Sequence, residues 1–156
     1  MNLSLQSSEI QSISFSTSIT SGTSSTKSFT NSGDYILECW AINGSPFVYA
    51  ADNSNSNFPL EETSDPKQAN NDMPARAMLR VRIVGSSLGP WVTPTDGVRY
   101  SNLVGTAQKP FYFNSPFRVL PKETVNMTLY NDSASTIRDE VTFVCRKLDA
   151  RTGQPI

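Results

Sequence analysis

The sequence predicts an all-β fold: an antiparallel β-sandwich, jelly-roll-like, with an extended N-terminal arm and long loops. Three observations predict it. In the stretch 110–148, three extended segments (Phe111 to Leu120, Glu123 to Tyr130 and Glu140 to Leu148) are separated by short breaks at Pro121-Lys122 and at 131–135. The middle one alternates Val125, Met127 and Leu129 with Thr124, Asn126 and Thr128, the period of a strand with one buried face. Second, hydrophobic residues make up 37% and charged residues 17%, so solubility rests on Ser, Thr and Asn, which suits strands better than helices. Third, roughly eight strand-like segments are spaced by Gly-, Pro- and Ser-containing loops, and no segment carries a convincing helical period.

In chain order, residues 1–9 read as an N-terminal arm, 10–148 as a single sandwich domain and 149–156 as a polar C-terminal tail. The arm is open to two readings, a frayed end or an extension that pairs with a neighbouring subunit. Ile13, Phe15, Thr17 and Ile19 alternate with Ser14, Ser16 and Ser18, which predicts a strand over 10–19. Thr20 to Thr26 reads as loop. Tyr35 to Ile42 is apolar on both faces apart from Glu38, the pattern of a strand buried in the middle of a sheet. Asn43-Gly44 then predicts a type I′ hairpin turn into Phe47 to Ala51, with Pro46 placing the return strand at an edge.

Residues 52–74 are almost wholly polar. So long a loop is either a mobile surface segment or a contact element, and Asn55 and Asn57 are candidate contact residues within it. Its Asp and Asn spacing does not fit a calcium-binding EF-hand loop. Ala75 to Gly85 alternates most regularly: Ala75, Ala77, Leu79, Val81 and Ile83 on one side, Arg76, Arg80 and Arg82 on the other. That arginine stripe either keeps an outer face soluble or docks an acidic partner. Trp91, between Pro90 and Pro94, is a core plug or an exposed contact residue. The last pass of the chain, 110–148, is expected to form a three-stranded antiparallel core of its own.

Composition narrows function by exclusion. A chain of 156 residues suits one domain that buries roughly two-thirds of its unfolded surface. A net charge of -1 argues against a general polyanion binder, so no specific nucleic acid is expected. No apolar run approaches the ~20 residues of a membrane-spanning helix, and residues 1–4 lack the start of a secretory signal, which suggests synthesis and folding in a cytoplasm. With no histidine anywhere, Ser-His-Asp and Cys-His catalysis and histidine-ligated zinc are excluded. Cys39 and Cys145 each sit in an apolar run; they read first as small buried thiols, and as a disulfide only if their strands are neighbours. No cofactor is expected. Paired carboxylates for glycosidase chemistry would have to come from Glu61, Glu62, Asp139 or Glu140, which nothing else distinguishes.

The C-terminal third resembles small structural proteins of bacteriophage heads. The resemblance rests on the aromatic and proline lead-in Phe113 to Phe117, the turn Leu120-Pro121-Lys122-Glu123, the alternating strand Val125 to Asn131 and the last strand Val141 to Lys147. The sequence departs from that pattern at Arg146, where a small residue is expected. The resemblance implies a non-enzymatic virion protein, assembled in the host cytoplasm, that decorates or cements a capsid as a homo-oligomer against the major capsid protein or neighbouring virion subunits. The arm, the 52–74 loop and Arg76, Arg80 and Arg82 would supply contacts. A different class of function is a carbohydrate- or receptor-binding module of a phage spike or tail, anchored by exposed Trp91, Tyr100, Tyr112 or Tyr49.

Overall fold

A computed structural model describes residues 10–48, 75–85, 96–133 and 136–156. Among these residues, nine strands form in the order β1 (Ile10–Ile19), β2 (Ser24–Thr30), β3 (Tyr35–Gly44), β4 (Phe47–Val48), β5 (Leu79–Gly85), β6 (Val98–Arg99), β7 (Phe111–Val119), β8 (Thr124–Asn131) and β9 (Ile137–Asp149). One helical turn, α1 (Ala75–Met78), precedes β5, and a 3-10 turn covers Tyr100–Asn102.

Two antiparallel sheets face each other. One runs β1-β9-β3-β7, with β4 also on β9; the other runs β2-β8-β5-β6. Strands from the start of the chain pair with counterparts from its end, β1 with β9, β2 with β8 and β3 with β7, and β5 pairs with β6 at the middle. Successive pairs fall in alternate sheets. The chain is therefore one long antiparallel ribbon wound over two layers, which is a jelly roll.

Alternation sets the inner face of each layer. In β1, Ile13, Phe15, Thr17 and Ile19 point inward and the intervening serines outward. Phe15, Phe117 and Phe143 meet edge to face on the inner side of the first sheet, at ring separations of 5.9 and 5.6 Å about Phe143. From the second sheet Val81, Ile83, Met127 and Leu129 close the core, each at most 1% exposed. Buried asparagines tie chain passages to this core. Asn31 Nδ2 donates to the carbonyls of Tyr35 and Val119 at 2.8 and 3.2 Å, and Asn131 Nδ2 to that of Ile19 at 2.9 Å. The outer face of β2 and β8 is a flat ladder of short polar side chains: Thr26 opposes Thr128, Ser28 opposes Asn126 and Thr30 opposes Thr124, hydrogen-bonded at 2.6–2.8 Å.

Several local expectations are corrected. The segments of 110–148 do not form a three-stranded unit, for β7 and β9 flank β3 in one sheet while β8 lies in the other. Part of the expected loop at 20–26 is strand, since β2 starts at Ser24; Gly22, with φ +67°, turns the chain between sheets. Asn43-Gly44 is not a hairpin turn. β3 and β4 both run along β9, Gly44 opposite Val141 and Phe47 opposite Arg138, so the chain continues in the same direction past Ser45-Pro46. Glycine is needed at 44 for close approach, because a Cβ there would collide with the Tyr100 hydroxyl. Cys39 and Cys145 are not free thiols: they are register partners on β3 and β9, Cα atoms 4.0 Å apart, and form a disulfide in the core. The tail folds back on β9, with Asp149 N–H donating to Gln154 O and Ile156 N–H to Lys147 O.

Candidate functional site

The three arginines expected as one stripe go to different places. Arg76 lies on α1 instead of a strand and donates to the carbonyls of Val104 (2.7 Å), Gly44 (2.5 Å) and Gly105 (3.1 Å). Its guanidinium sits over the Tyr100 ring, 5.3 Å from the centroid. Arg80, on β5, forms a fork with Asp132 (Nε to Oδ2 2.7 Å, Nη2 to Oδ1 3.0 Å), donates to the Asp96 carbonyl and covers the Tyr130 ring. Arg82 is half-buried on the same outer face, and its Nε has no hydrogen-bond partner among the described residues. Asn55, Asn57 and Trp91 lie outside the described residues, as do Tyr49, Glu61 and Glu62.

Beneath Arg76 is a buried polar group. Asp139 is 2% exposed and Tyr100 wholly buried, and neither the carboxylate oxygens nor the hydroxyl make a well-formed hydrogen bond among the described residues. Burial raises the Asp139 carboxyl to about 6, against the opposing pull of the nearby Tyr100 hydroxyl, the Arg76 charge and the N–H groups of Glu140 and Ser45. Burial, and next the Asp139 charge, push the Tyr100 phenol well up; burial also lowers Arg76. Asp139 points inward and Glu140 outward, so these neighbours do not form a carboxylate pair. Tyr100 is unavailable as an exposed anchor.

A second constellation lies on the outer face of the first sheet. Glu38, the one charge in an otherwise apolar strand, stands on central β3 directly opposite Arg118 of β7 and Arg146 of β9. Although Glu38 is only 5% exposed, both guanidiniums clasp it: Arg118 Nε and Nη2 reach Oε2 at 3.1 Å, and Arg146 Nε and Nη2 reach Oε1 at 2.7 and 2.6 Å. Two cations on one anion leave a local excess of one positive charge. The arginine side chains keep 52% and 43% of their surface in water.

Next along β3 the register shifts. Between Cys39 and Ala41 one residue, Trp40, is extra relative to β9, while β7 passes from Phe117 to Tyr112. Such bulges re-aim side chains, and Pro116 fits one because it has no ladder donor to lose. Trp40 is turned partly outward, 36% exposed, with its ring 5.9 Å from that of Tyr112, 58% exposed. The result is an open groove of about 520 Å³ lined by Ile10, Glu38, Trp40, Pro116 and Arg146. Of the aromatic anchors expected from sequence, Tyr112 alone is exposed among the described residues; Trp40, Arg118 and Arg146 were not anticipated. The available signal was Glu38, since a charge on a strand buried on both sides needs partners.

Among the described residues, no group of three or more His, Cys, Asp or Glu gathers to hold a metal ion. Comparisons with protein-family models, with curated proteins and with solved structures find no match to this chain.

Proposed function

We propose that the chain is a non-enzymatic structural protein of a virion, decorating or cementing a capsid as an oligomer through subunit and shell contacts. The observation that carries this reading is the wound-ribbon jelly roll, an architecture used for capsid and lectin domains. The flat ladder of Ser, Thr and Asn on β2 and β8 supports it, since it offers a broad polar face for packing against a neighbouring subunit. The disulfide suits a protein that persists outside a reducing cytoplasm. In this reading Arg76 and Arg80 serve the fold of the subunit, and contacts fall to the outer sheet faces instead. Light scattering on the size-fractionated chain tests it: a discrete oligomer, or closed particles that incorporate it stoichiometrically, is expected. A monomer at every concentration and salt, which also fails to sediment with shells lacking it, overturns it.

A further inference from the structure

We propose that the groove between Trp40 and Arg146 binds a sugar that carries a carboxylate. The proposal goes beyond the shell reading and stands whether or not the chain assembles.

The electrostatics choose an anion. Glu38 occupies the Nε and Nη2 edge of each guanidinium, which leaves the Nη1 group of Arg118 and of Arg146 unused by it. Among the described residues neither arginine has a second acidic partner, so the cluster carries a net positive charge, with Arg146 lining the groove and Arg118 bound to the Glu38 that lines it. Guanidinium is the side chain best matched to a planar carboxylate, and here it is held in place by its grip on Glu38.

The walls choose a ring. Trp40 is exposed on one side while its contact with Tyr112 holds it, and Pro116 and Ile10 add apolar surface. An aromatic face beside apolar walls suits the C–H face of a pyranose, whose hydroxyls remain in water. The volume of about 520 Å³ lies in the range of small-molecule sites and exceeds what a bare ion needs. An acidic peptide shares the carboxylate but has no flat apolar face to set on Trp40, so the sugar is favoured.

The test is a titration of the whole chain, followed by backbone NMR, with four probes: N-acetylneuraminic acid, glucuronic acid, neutral lactose and an acetylated di-glutamate peptide. Saturable shifts confined to β3, β7 and β9 around residues 38–40, 112–118 and 146 are expected with both acidic sugars, at dissociation constants on the order of 1 mM. Lactose should bind at least ~10-fold more weakly, and raised salt should weaken the acidic sugars. Trp40→Ala and Arg146→Lys should each lower affinity by roughly 10-fold. The lysine keeps a cation beside Glu38, and circular dichroism separates a folded variant from a collapsed one. If Trp40→Ala does not fold, Tyr112→Ala replaces it, with a several-fold loss expected. Equal binding of lactose, preference for the peptide, or no saturable shift with either acidic sugar each overturns the proposal.

Discussion

Asp139 offers the sharpest test of the physics of this fold. Its carboxyl is raised from its ordinary 3.8 to about 6, with burial the leading cause. A folded-state value above the unfolded one means that the folded chain binds the proton more tightly. Stability from this group is therefore fully present below pH 4 and is lost as pH rises through about 6. The gap between the two values amounts to about 3 kcal/mol at neutral pH, at about 1.4 kcal/mol per pH unit. Asp139→Asn removes the charge while keeping the shape, so the variant should exceed the parent by up to about 3 kcal/mol near pH 7.5 and by only ~1 kcal/mol near pH 4.5. For a chain of this size, the neutral-pH gain corresponds to a rise in Tm of ~6–12 °C. Loss of the charge facing Arg76 reduces the gain, but Arg76 keeps its three carbonyl acceptors, so the sign should hold. Urea unfolding of both proteins at several pH values, followed by tryptophan fluorescence, measures it. Parallel pH profiles, or a parent that gains on the variant as pH rises from 4 to 7, would show that Asp139 is not destabilised by its burial.

Other substitutions probe the remaining joints of the structure. Replacing both Cys39 and Cys145 by alanine should cost about 4–5 kcal/mol, because the bridge closes a long loop in the unfolded chain, and reductant should bring the parent's denaturation midpoint close to the variant's. Gly44→Ala should cost ~1–3 kcal/mol by driving a methyl into the Tyr100 hydroxyl, and adding Tyr100→Phe should recover part of the loss in thermal melts. Asn131→Ala strips a donor from the buried Ile19 carbonyl and should cost about 2 kcal/mol, read from the same melts. Glu38→Gln leaves two neighbouring arginines without their anion; as both are about half in water, a loss of only ~1–2 kcal/mol is expected, shrinking as salt is raised.

How far the sequence reached follows from what alternation encodes. Side-chain period reports which face of a strand is buried, so β1, β3, β8 and the burial of Val125, Met127 and Leu129 were legible directly. It does not report which strand lies alongside. A hairpin and a crossing between layers bury the same residues, which is why β7, β8 and β9 read as one sheet and proved to belong to two. The arginine pattern failed for a related reason: Arg76 keeps strand spacing with Arg80 and Arg82, yet its bonds to three carbonyls hold it on a helical turn.

The class of fold, the single core and the exclusion of histidine chemistry follow from composition and local period, which are properties of the chain alone. Tertiary structure decided everything that depends on neighbours. Glu38, Arg118 and Arg146 are far apart along the chain and become one cluster only because β7 and β9 flank β3. The same adjacency turns two apolar cysteines into a covalent bond, and a shift of register at Trp40 sets an aromatic side chain in the same groove as Arg146. Pairing across a hundred residues is settled by which layers pack, and no local pattern carries that information.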